Sequence, residues 1–96
     1  MAPPTPRLLL TYDYVADILE RRGPLREEHL ANIAREAEAG RLLTAGAVGD
    51  PPTGALFVWA DGSQKAIAAF VAADPYVREG LVTGHAVQPW AVVAGA

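Results

Sequence analysis

Apolar residues gather in four short runs and along two longer stretches, and their order predicts the elements of the chain. Met1 to Pro6 is proline-rich and is predicted as a disordered or extended tail, because proline cannot donate ladder hydrogen bonds. Arg7 to Tyr14 is an apolar run that passes into aromatics and predicts a first strand. Val15 to Arg22 predicts a short helical turn closed by Gly23-Pro24. Leu25 to Ala39 is rich in good helix formers and is stopped by Gly40, which predicts the first long helix. Arg41 to Val48 reads as a second strand, Gly49 to Gly54 as a loop and Ala55 to Ala60 as a third strand. Asp61-Gly62 turns the chain, Ser63 is placed as an N-cap, and Gln64 to Asp74 form the second helix, ended by Pro75. Leu81 to Gln88 is the fourth strand, with Trp90 to Val93 as an extension beyond Pro89.

The order β-α-β-β-α-β is the ferredoxin-like pattern: an α+β fold with a four-stranded antiparallel sheet and both helices on one face. Residues 7–96 are expected to form a single domain, since 96 residues cannot support a second core. The uncovered sheet face is expected to carry alternate strand residues such as Phe57 or Trp59. A second copy of the chain is its expected cover, which predicts a homodimer.

Charge narrows the partners. Eight basic residues against eleven acidic ones leave a net charge of −3. The only basic cluster, Arg21, Arg22 and Arg26, is interleaved with Glu20, Glu27 and Glu28, so a nucleic-acid partner is not expected. The chain has no cysteine, which excludes disulfides, thiolate catalysis and cysteine-ligated metals. No apolar run approaches the roughly 20 residues that span a bilayer, and Leu8 to Leu10 is too short for a signal peptide, so a cytoplasmic protein is expected. Arginine outnumbers lysine seven to one and alanine is abundant, a composition that suits a GC-rich bacterial genome.

Candidate chemistry lies where helical periodicity breaks. On the first long helix Leu30, Ile33, Ala34 and Ala37 form an apolar stripe, and His29 falls about 70° from its centre. On the second, Ile67, Phe70 and Val71 form a core stripe whose next position is Asp74. A carboxylate at a helix C-terminus, on a half-buried face, calls for a partner. In this topology the start of the first helix and the end of the second share one pole. The end of the first strand (Tyr12, Asp13, Tyr14) and the Gly46 to Gly54 connection reach the same pole. His29 and Asp74 are therefore a candidate acid–base pair, in which the carboxylate orients the imidazole. The plainer reading, an Asp-Pro helix stop beside a structural histidine, stands next to it. Arg26, at the open end of the stripe, either binds a carboxylate ligand or pairs with Asp13 or Asp50. His29 and His85 lack metal-ligand spacing, so no metal site is expected.

R-E-E-H-L (Arg26 to Leu30), G-R-L-L-T-A-G (Gly40 to Gly46) and A-D-P-Y-V-R-E-G-L (Ala73 to Leu81) resemble motifs of the YCII-like proteins, in the right order and with matching gaps. The resemblance runs from about Arg7 to Trp90. It implies the dimeric α+β barrel arrangement, in which the sheets of two ferredoxin-like domains pack face to face. It also implies that His29 and Asp74 match the family's proposed active-site pair. Relatives of this architecture include a dehydrochlorinase of a chlorinated hydroxyquinol, muconolactone isomerase and cofactor-free monooxygenases. One departure is Ala47, which stands where the family often has proline.

Together these readings predict a small cofactor-free enzyme, a lyase or isomerase of small cyclic or aromatic acids. His29 is expected to be the general base, oriented by Asp74. Arg26 is expected to bind a carboxylate or enolate, with Tyr12, Tyr76 and Gly46 lining an anionic-ligand pocket. The alternative is a dimeric module that binds a small ligand without catalysis.

Overall fold

Side-chain alternation places Leu8, Leu10 and Tyr12 on one side of the first strand, β1 (Thr5–Tyr14), in the computed structural model, which describes residues 3–95. The chain continues through a single helical turn α1 (Ile18–Arg21), the long helix α2 (Gly23–Glu38), and strands β2 (Leu42–Val48) and β3 (Gly54–Ala60). Helix α3 (Gln64–Ala73), a second short turn α4 (Pro75–Arg78) and strand β4 (Val82–Val92) complete it. The sheet order is β2-β3-β1-β4, and every neighbouring pair is antiparallel, as the ferredoxin-like pattern predicts. Among the described residues, no helix is long and apolar enough to cross a membrane.

Both long helices cover the same face. Ile67 and Phe70 of α3, with Ile33 of α2 against them, share one core cluster with Leu8, Leu10, Tyr12, Phe57 and Trp59. Phe70 meets Phe57 and Trp59 edge-on, each at a centroid distance of 5.4 Å. Phe57 and Trp59 thus lie under the helices, not on the open face expected of them. Alternation groups strand residues by parity, and the register against Leu10 and Leu8 decides which parity turns inward. The open face carries the other parity, including Leu9, Leu56 and Val58, and Leu56 is 43% exposed.

Helix α2 also turns differently from its apolar stripe. Its buried positions are His29, Asn32 and Glu36, whereas Leu30 is exposed, with Ala34 and Ala37. Each polar group reaches a partner: Asn32 Nδ2 donates to the Ala73 carbonyl at 3.3 Å, and Glu36 accepts from Arg41 Nε at 2.6 Å. The helix ends at Gly40 (φ 78°), where Gly40 N–H bonds the Ala37 carbonyl and Arg41 N–H that of Glu36. That is a Schellman turn, and glycine adopts its left-handed position without strain.

Two boundaries move and one expected cap is missing. Thr5 and Pro6 join β1 instead of the expected tail, of which Met1 and Ala2 lie outside the described residues. Pro6 pairs with Ala91 of β4 but lies past the β1–β3 register, so its missing N–H removes no bond to β3. Strand β4 runs unbroken through Pro89, which an edge strand tolerates. Ser63 makes no side-chain cap hydrogen bond, and its backbone (φ −87°, ψ 17°) is not the extended geometry a capping serine needs.

Candidate active site

The site begins at the junction of α3 and α4. Pro75 forces the preceding residue out of helical geometry, and Asp74 is extended there (φ −73°, ψ 119°). It closes α3 and also caps α4, accepting from Tyr76 N–H through Oδ1 at 3.0 Å. The same Oδ1 accepts from His29 Nδ1 at 2.9 Å, and Oδ2 accepts from the Tyr12 hydroxyl at 2.8 Å. Asp74 is wholly excluded from solvent, and His29 is buried with it. One carboxylate thus ends the helix and also bonds the histidine.

The geometry fixes the imidazole. An ionised carboxylate only accepts, so Nδ1 carries the proton and the neutral ring keeps its lone pair on Nε2. Tyr76 stacks on His29 with ring centroids 3.7 Å apart and planes within 5°, which covers one face of the imidazole. Tyr14 meets both Tyr12 and Tyr76 edge-on. Burial, reinforced by the Asp74 carboxylate, drives the Tyr12 phenol far above its ordinary pKa, so it stays a donor. Burial, with Tyr76 and Asp74 behind it, pushes the Tyr14 phenol up to about 12, against the opposing pull of Arg22 and Arg26.

A cavity of about 240 Å³ adjoins the pair. His29, Arg22, Arg26 and Tyr14 supply its polar wall, and Ala45, Gly46, Ala47 and Phe57 supply part of its apolar wall. Among the described residues no acidic side chain lines it, and its charged groups, Arg22 and Arg26, are cationic. Among the described residues the Arg22 and Arg26 side chains form no ion pair, so Arg26 pairs with neither Asp13 nor Asp50.

Of the residues expected at this pole, His29, Arg26, Tyr76 and Gly46 border the cavity. Gly46 does so from within β2, not from a loop. Tyr12 does not line it: its hydroxyl is held by Asp74, and Tyr14, two residues on, takes the cavity position. Among the described residues the buried Tyr76 hydroxyl has no hydrogen-bond partner, while its ring stacks on His29. Arg22, unremarked as a site residue in the sequence, precedes Arg26 by one helical turn, and that spacing is the signal that reveals it. Gly54 holds the far end of the connection against β1, because a Cβ there would collide with the Tyr12 carbonyl. His85 lines a separate apolar groove between α3 and β4.

Comparison with known proteins shows the family and the fold. The YCII-related domain family matches residues 7–91. Protein YciI of Escherichia coli O6:H1 and that of Shigella flexneri are each 37% identical over 84 residues, covering 78% of this chain and 86% of the relative. A solved structure is similar with a TM-score of 0.71 and 21% identity, covering 88% of this chain and 92% of the other. It is 5-chloro-2-hydroxyhydroquinone dehydrochlorinase (TftG) from Burkholderia phenoliruptrix AC1100, in complex with 2,5-dihydroxybenzoquinone. That likeness is one of fold. The family match, the two YciI relatives and the shared fold agree, and the chain belongs to the YCII-related domain family.

Proposed function

We propose that the protein is a small acid–base enzyme, a lyase or isomerase acting on a single-ring acid, with His29 as general base and Asp74 as its orienting carboxylate. The observation that carries this reading is the 2.9 Å His29–Asp74 bond at the wall of a cavity that is also lined by two arginines, Arg22 and Arg26. Nε2 removes a proton from ring carbon, and the electron pair moves to an adjacent oxygen or expels a leaving group. Arg22 and Arg26 hold the anionic substituent, since guanidinium groups bond carboxylates and enolates with charge-assisted hydrogen bonds. The cavity limits the ligand: an apolar cavity of about 150 Å³ holds benzene, so about 240 Å³ accommodates one substituted ring. The similar solved structure, a dehydrochlorinase in complex with a dihydroxybenzoquinone, supports the same class of ligand. These residues supply the proposed proton transfer without a cofactor.

The open sheet face, with Leu9, Leu56 and Val58, supports a homodimer built through that face. We place the protein in the bacterial cytoplasm on its composition. The test is a screen of hydroxylated and carboxylated single-ring compounds, scored by mass spectrometry for product. Turnover that disappears in His29→Asn supports the enzyme. Full turnover in that variant overturns it, and saturable binding with no product makes the protein a ligand-binding module.

A further inference from the structure

The Asp74 carboxylate is shared. Its Oδ1 serves His29, and its Oδ2 serves a hydroxyl that lies 62 residues away in sequence, outside the cavity and 2% exposed. Every hydrogen bond donated to a carboxylate draws charge from it and weakens its hold on the remaining partner. We propose that Tyr12 is a positioning residue that acts through Asp74, fixing the plane of the carboxylate and restraining the proton affinity of His29.

The geometry favours this over a packing role alone. Tyr12 fills the strand position facing the helices, where Leu8 and Leu10 show that an aliphatic side chain suffices. Its ring packs edge-on to Phe57 at 4.8 Å, a contact phenylalanine would keep. Only the hydroxyl distinguishes it, and the hydroxyl has one partner, Asp74 Oδ2. The other groups facing the pair are accounted for. Tyr76 N–H shares Oδ1, Tyr14 and Tyr76 are the flanking phenols, and Arg22 and Arg26 line the cavity. Glu28 and Arg78 neutralise each other at 3.3 Å on the exposed side. Loss of Tyr12 therefore leaves an under-bonded buried carboxylate whose nearest proton carrier is His29.

The inference rests on the His29–Asp74 reading for its catalytic meaning, and its test is separable from it. Tyr12→Phe is titrated by NMR at the His29 imidazole, beside wild type and in the Asp74→Asn background. The expected result is an upward shift of the His29 midpoint by roughly half a unit or more, abolished when Asp74 is already asparagine. With a turned-over substrate, the acidic limb of the pH–rate profile moves by the same amount. An unmoved midpoint, or a shift that persists in Asp74→Asn, overturns the inference while leaving the enzyme reading intact. A moved midpoint in a protein that turns over no substrate upholds the inference and counts against the enzyme. Should Tyr12→Phe fold poorly, the wild-type Tyr12 hydroxyl proton is observed directly. Slow exchange with a contact to the Asp74-bound His29 proton is expected, and rapid exchange contradicts the account.

Discussion

Helix α2 carries two acid–base contacts, one half-exposed and one buried beside a cavity. Near its C-terminus Glu36 meets Arg41 at 2.6 Å, five residues on, with the Arg41 side chain 46% exposed. Toward its N-terminal half His29 meets Asp74 at 2.9 Å, 45 residues on, and both are buried. The first contact comes with the Schellman turn and satisfies the groups that make it. The second forms only when the whole fold closes, and it leaves the Nε2 lone pair free on a residue that lines a cationic cavity. A buried ion contact is common. One that leaves a reactive atom free beside a cavity is the informative kind.

Variants at the two ends sharpen this contrast. Replacing His29 with asparagine should lower kcat by about 10²–10⁴-fold, the usual share of a positioned base. Arg41→Ala should leave kcat within about twofold, as steady-state kinetics on a turned-over substrate would show. In urea denaturation, Asp74→Ala should cost about 3–5 kcal/mol, because it leaves the Tyr12 hydroxyl, Tyr76 N–H and His29 Nδ1 without their acceptor. Arg41→Ala should cost less than about 1 kcal/mol, as expected for a half-exposed pair. Arg26→Ala should weaken binding of a ring carboxylate about 10–100-fold by calorimetry, the loss of one charge-assisted bond.

The smallest effect concerns alkaline pH. Tyr14, pushed up to about 12 by burial, stays protonated in the folded protein after unfolded chains ionise at their ordinary value of 10.0. Its contribution is complete below that ordinary value and is lost as pH rises towards the folded one. Tyr12 acts in the same direction over a wider range. The slope of stability against pH above 10 should therefore flatten in Tyr14→Phe and be unchanged in Arg41→Ala, as thermal melts across that range would record.

The sequence exposes the pole of the site through Asp74, because an acidic residue on the apolar series Ile67, Phe70, Val71 demands an explanation within the helix itself. His29 follows from topology once the helix ends are paired. Tyr12 is harder to read: alternation places it inward with Leu8 and Leu10, but no local pattern says which atom its hydroxyl meets. The turn of α2 misleads for a related reason. Asn32 and Glu36 look like solvent positions until the Ala73 carbonyl and Arg41 are in place, and without them Leu30, Ala34 and Ala37 look like the core face. Phe57 and Trp59 show the same limit in a strand, where parity is visible and its direction is not. Long-range polar partners are what local periodicity leaves unread.

The proposed enzyme depends on Asp74 as a charged, orienting partner of His29. NMR titration of the His29 imidazole in wild type and in Asp74→Asn tests that role. The carboxylate lies 2.9 Å from Nδ1, so removing its charge should move the midpoint down. The same midpoint in both proteins would reduce this pole to helix-end chemistry.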